Sequence, residues 1–94
     1  MLKDCKEYGL RDQMTRAAVS MASNIAEGAE RNSAPDYNRF LHIAKGSAAE
    51  LRTQLYIAQR IGLIDQNAQA ELTKECKEIA AMLQGLAKSL KLKT

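Results

Sequence analysis

The sequence predicts an all-α fold, an antiparallel up-down bundle of three long helices, and three observations carry that prediction. Apolar residues recur at three- and four-residue spacings along most of the chain, the period of one helical face. A single proline interrupts the pattern, and it falls at a predicted helix start. The aromatic residues are three tyrosines and one phenylalanine, with no tryptophan, too few for the aromatic and β-branched pairs of a sandwich or barrel. A chain of 94 residues supports one domain, residues 1–94, because it buries only about 60–65% of its unfolded surface. With 46% hydrophobic and 27% charged residues it is too apolar for disorder.

The first helix is expected over about 10–31, where Met14, Ala18, Met21 and Ile25 share a face. Gly9 precedes it, and Gly28 with Arg31 and Asn32 supplies the stop. The second helix is expected over 34–61. Ser33 is its N-cap, Pro35 lies in the first turn where the missing N–H is harmless, and Asp36 stands at the third helical position. Tyr37, Leu41, Ala44, Ala48, Leu51, Leu55 and Ala58 form one heptad seam, flanked by Phe40, Ile43, Ser47, Gln54, Ile57 and Ile61. At ~100° per residue the mainly apolar arc covers roughly half the helix, so it must meet more than one partner. Gly62 fits a left-handed C-terminal cap and Asp65 the next N-cap. The third helix is expected over 66–91, with Leu72, Cys76, Ile79, Leu83, Leu86 and Leu90 alternating four and three. Short connections imply antiparallel neighbours.

Charge and composition narrow the function classes. The net charge of +3 is a C-terminal effect, because residues 79–94 add Lys88, Lys91 and Lys93 without an acid. Such a basic end complements the helix dipole, and it also offers phosphate contacts. No apolar stretch reaches the ~18 residues of a membrane span, and Met1 to Glu7 holds no apolar signal core, so a cytoplasmic protein without membrane contact is expected. Cys5 and Cys76 lack any metal-ligand spacing and are read as reduced thiols, with no metal site and no cofactor.

His42, the only histidine, falls on the polar side of the second helix with Asn38, Lys45, Arg52, Thr53, Tyr56 and Arg60, and no acid shares that face. With no partner to build a triad and no Glu-x-x-His pair for a di-iron centre, no catalytic residue is assigned and an enzyme is not expected. The same face suits nucleic acid: His42, Lys45, Arg52 and Arg60 bring positive charge and Tyr56 a ring for stacking. An ordinary solvated helix face has this composition too. Asn24, Glu27, Ser47, Glu50 and Gln54 fall toward packed surfaces, with Arg16, Arg31 and Arg39 as donors for Glu27 and Glu50. That set reads as a structural polar network.

The stretch Tyr8-Gly9-Leu10, then Asp12-Gln13, then Arg16-Ala17-Ala18-Val19-Ser20-Met21-Ala22-Ser23-Asn24-Ile25-Ala26-Glu27-Gly28 closely resembles the signature of the four-helix-bundle proteins encoded in intervening sequences of bacterial 23S rRNA genes. Arg31, Ser33, Arg39-Phe40-Leu41, Ile43-Ala44, Gly46-Ser47, Glu50-Leu51 and Thr53-Gln54-Leu55 match the next block, so the resemblance covers about residues 8–64. It implies a bacterial, cytosolic, non-enzymatic bundle that assembles as a homopentamer. The related accessory proteins of diversity-generating retroelements associate with a reverse transcriptase and, through a basic surface, with nucleic acid. Asn24, Glu27, Arg31, Ser47 and Glu50 are the family positions carried over.

Two departures stand out. Ala22 occupies a position where the family often has proline, which softens any kink. Family members also begin with a further amphipathic helix carrying a tryptophan, so the three helices here correspond to the last three of a four-helix bundle. Lacking that helix, the second helix would be partly uncovered, which predicts either tight self-association or a start site assigned too late. The expectation is therefore a homo-oligomeric, nucleic-acid-associated adaptor contacting RNA or DNA through His42, Lys45, Arg52, Tyr56, Arg60, Lys88, Lys91 and Lys93. The alternative is a structural or protein-interaction module in which those charges only keep the surface soluble.

Overall fold

The computed structural model describes the backbone of residues 2–93 and the side chains of residues 8–90. The chain forms three helices, α1 (Leu2–Ala29), α2 (Ala34–Arg60) and α3 (Gln66–Lys93), with no strand among the described residues. The fold is all-α. α1 starts at Leu2, eight residues before the expected start, and runs unbroken through Gly9. A glycine inside a helix costs about 1 kcal/mol, which a helix of 28 residues absorbs. α1 ends at Ala29, and the Glu30 and Arg31 amides donate to the Glu27 and Gly28 carbonyls at 3.2 and 3.1 Å, a tightened last turn.

The α2 boundaries follow the capping chemistry in the sequence. Ser33 is extended (φ −125°, ψ 146°), its hydroxyl accepts from the Asp36 amide, and Pro35 sits in the first turn. At the other end Gly62 has φ +80°, the left-handed region that favours glycine. The Leu63 amide donates to Ala58 O at 2.8 Å and the Gly62 amide to Gln59 O at 3.1 Å, the two bonds of a Schellman cap. Asp65 Oδ1 then accepts from the Ala68 amide at 2.7 Å and starts α3.

α2 lies in the middle, packed against α1 on one flank and α3 on the other, while no α1 Cα comes within 8 Å of an α3 Cα among the described residues. The molecule is a long, thin slab of 52 × 23 × 13 Å. Both pairings are antiparallel: Gly28 meets Tyr37 and Phe40, Ser20 meets Ser47, and Lys45 meets Gln84. Leu41, Ala44, Leu83 and Ala87 form a core cluster on which Met21, Ile25, Ile79 and Leu90 pack. Burial of Leu41 or Leu55, both almost wholly enclosed, contributes about 1.5–3 kcal/mol each. The wide apolar arc of α2 thus meets two partners, but its edges are left open. Ile43 and Ile57 are exposed, because α1 packs over Ser47 and leaves the next row uncovered.

Helix spacing is set most tightly at Gly28. A Cβ there would lie 2.8 Å from Tyr37 Cδ1 and 2.9 Å from Phe40 Cβ, whereas Cβ atoms at Gly46 and Gly85 meet nothing within 4 Å. Gly28→Ala should therefore destabilise by about 1–2 kcal/mol, overpacking outweighing the gain in helix propensity. Gly46→Ala and Gly85→Ala should each stabilise by about 0.5–1 kcal/mol. Thermal unfolding followed by circular dichroism checks both signs.

Candidate nucleic-acid interface

The Lys45 ammonium donates to the Gln84 side-chain carbonyl, and this contact, beside the cluster of Leu41, Ala44, Leu83 and Ala87, shows the register and the face on which α2 and α3 meet. Residues three or four and seven positions away share that face. On α2 these are His42 and Arg52. On α3 they are Lys77 and Lys88. The antiparallel register brings Lys88 level with His42 and Lys77 level with Arg52, so two basic rows run side by side. Lys77 was not among the residues expected for this surface. The heptad Lys77, Gln84, Lys91 was visible in the sequence, but only the α2–α3 register shows which α2 residues it joins. Lys91 and Lys93 lie outside the described side chains.

Further along α2, Arg60 Nη1 donates to Tyr56 Oη at 3.2 Å and its guanidinium carbon lies 5.7 Å from that ring's centroid. Tyr56 is 53% exposed, so much of the side chain remains open to solvent. Among the described residues the two ion pairs are Arg16–Asp12 at 2.9 Å and Arg31–Glu27 at 3.9 Å. Neither involves the basic rows. Among the described residues no acid lies within ion-pair distance of Lys45, Arg52, Arg60, Lys77 or Lys88, the charge pattern that contact with a polyanion requires.

The polar network differs from its expected form. Asn24 Nδ2 donates to Ser20 O at 2.7 Å and to Ser20 Oγ at 3.2 Å, and Ser20 Oγ lies 3.0 Å from Ser47 Oγ. Ser47 Oγ also donates to Ile43 O at 3.3 Å. Asn24, Ser20 and Ser47 thus tie α1 to α2. Glu27 and Glu50 do not join them, since both are exposed. Glu27 pairs with Arg31 one turn away, and Glu50 accepts from Gln54 Nε2 at 3.4 Å. Arg16 binds Asp12, its own i−4 neighbour, and Arg39 lies against Phe40. Long charged side chains on a helix reach solvent at little cost, whereas short hydroxyl and amide groups stay between the helices and must pair there.

On another face of the slab an open apolar groove of about 360 Å³ runs between α1 and α3, walled by Met14, Met21, Leu72 and Ile79 over Leu51 and Leu55. Cys76 borders it as a buried free thiol; Cys5 lies outside the described side chains. Burial raises the Cys76 pKa above its ordinary value, outweighing the nearby Arg52 charge, and Glu75 adds to the rise. Among the described residues no three His, Cys, Asp or Glu side chains gather as a metal site. No described helix is long and apolar enough to cross a membrane.

Residues 1–85 match a protein-family model described as 23S rRNA-intervening sequence protein. No curated protein matches the chain.

The state of Cys76 gives a direct check on the packing around the groove. Because its folded pKa is raised, the thiol supports the fold below the unfolded value of about 9 and loses that support as pH climbs through the folded value. Thermal unfolding temperature should fall more steeply above pH 9 in the native protein than in Cys76→Ala. At pH 8 a thiol reagent should label native Cys76 far more slowly than the denatured chain.

Proposed function

The chain belongs to the 23S rRNA-intervening sequence protein family, and on that footing we propose that it is a non-enzymatic, self-associating helical bundle that acts as a nucleic-acid-associated adaptor in the bacterial cytoplasm. The observation that carries this reading is the double basic row on α2 and α3, in which Lys45, Arg52, Arg60, Lys77 and Lys88 have no acidic partner within ion-pair distance among the described residues. Contact with the phosphate backbone asks only for positive side chains spaced along a surface, and a long slab supplies that spacing. Tyr56 adds a stacking ring beside the row.

Self-association is proposed through the groove face. Leu72, Met82 and Leu86 are exposed along α3, and burying such a stripe against a second copy contributes about 25 cal/mol per Å². Repetition of the basic row in an oligomer multiplies the phosphates met at once, which raises affinity without any new type of contact. Engagement of a different protein by the same groove is the competing interaction-module reading.

Fluorescence anisotropy of a labelled structured RNA, taken over roughly 50–200 mM salt, tests the first part. Binding should weaken steeply with salt. The variant Arg60→Glu/Lys77→Glu/Lys88→Glu, all at exposed positions, should abolish it while leaving helical circular dichroism unchanged. Binding by that variant at the native affinity would remove the proposed face. For the second part, sedimentation should show native mass above that of one chain, reduced by Leu72→Glu; a native protein that sediments as a monomer overturns self-association.

A further inference from the structure

Where α1 turns into α2, two arginines share one aromatic ring. The guanidinium carbon of Arg31 lies 4.7 Å from the Phe40 ring centroid and that of Arg39 lies 5.0 Å from it. The two cations are thus no farther apart than the sum of those distances. Phe40 is buried, and its Cβ abuts the Gly28 backbone, so the ring is a fixed platform. Arg31 meets one carboxylate, Glu27, at 3.9 Å, the outer limit of an ion pair, and Arg39 meets none among the described residues. Both side chains reach solvent.

Across such a span two exposed like charges repel only weakly, and each ring contact returns about 0.5–1 kcal/mol. With one carboxylate at the outer limit of an ion pair, the two guanidinium groups keep positive charge that an anion can meet. A guanidinium held against a ring keeps its in-plane N–H groups free, and these match the oxygens of a phosphate two at a time. Two such groups on one platform have already lost much of the rotamer freedom that binding would otherwise remove. The positive end of the α2 dipole, beginning at Ala34, lies at the same turn. Asp36 in that first turn offsets part of this field.

We infer that Arg31 and Arg39, stacked on Phe40, form a phosphate fork that grips a backbone phosphodiester of RNA. The inference rests on the nucleic-acid reading and deepens it. Arg39 lies one helical turn before His42, so the fork extends the α2 basic row toward the α1–α2 turn. The fork differs from the row in its platform, since its two guanidinium groups share one buried ring whereas the row's lysines and arginines are spread along two helices.

The test is the same RNA anisotropy with charge-conserving variants of the full chain. Arg31→Lys/Arg39→Lys keeps both charges but removes the planar donors and their stacking. It should weaken binding about tenfold or more while the salt slope stays near the native value, because the number of cations is unchanged. Phe40→Leu keeps the buried apolar volume and removes the platform, and it should weaken binding in the same direction. Native affinity in the double lysine variant overturns the fork and leaves the basic row standing. If instead the native chain binds no RNA at low salt, fork and row fall together. Should the double variant lose helical signal, Arg39→Lys alone, a change at an exposed side chain, decides by the same criterion.

Discussion

Everything in this molecule depends on α2 burying two flanks at once. The α1 and α3 backbones do not approach each other, so each is held in place mainly through α2. Ala44, Ala48 and Ala58 have no exposed surface, and these small residues let the neighbours close onto the helix, while Leu41 and Leu55 fill the space between. A central helix with large residues at those three positions would hold its partners farther off. One with polar residues there would leave unpaired groups in a dry interface. The Asn24–Ser20–Ser47 chain shows the polar exception done safely, since the Asn24 amide bonds Ser20 within α1 and the Ser20 and Ser47 hydroxyls pair across the α1–α2 seam.

The same central placement separates two surfaces. The groove opens between α1 and α3 over Leu51 and Leu55, while the basic rows flank the Lys45–Gln84 contact elsewhere around α2 and α3. A helix laid into the groove would leave the basic rows uncovered. The assembly and the polyanion contact proposed above therefore call on different surfaces of one small chain.

Much of the fold was legible in the sequence because it is written in local chemistry. Ser33, Pro35, Gly62 and Asp65 each act within a turn of their own position, and α2 begins and ends, and α3 begins, where those residues require. The start of α1 was not legible. Gly9 is a weak stop, and whether a helix passes through it depends on what surrounds it over several turns. Helical periodicity identified the face holding His42, Lys45 and Arg52 but gave no register between helices, so Lys77 was left out. Ile43 and Ile57 were placed with the flanking apolar row, yet an apolar residue at the edge of an arc is covered only if the partner is wide enough. Of the arginines expected to serve Glu27 and Glu50, Arg31 meets Glu27, while Arg16 binds Asp12 and Arg39 lies against Phe40, because a helical arginine finds its partner within a turn of its own position.

The pairing of helices only with their neighbours in sequence also bears on how the chain acquires its structure. Both hairpins are local, α1 with α2 and α2 with α3, so no long loop must close before apolar contact is made. Each turn carries its own cap, at Ser33 and at Gly62 with Asp65, and can begin winding without help from the other. During synthesis the α1–α2 hairpin is complete while α3 is still to emerge, and the second flank of α2 is then bare. For that interval the nascent chain shows an apolar surface that α3 later covers, so the order of translation sets when this protein is most open to the wrong partner.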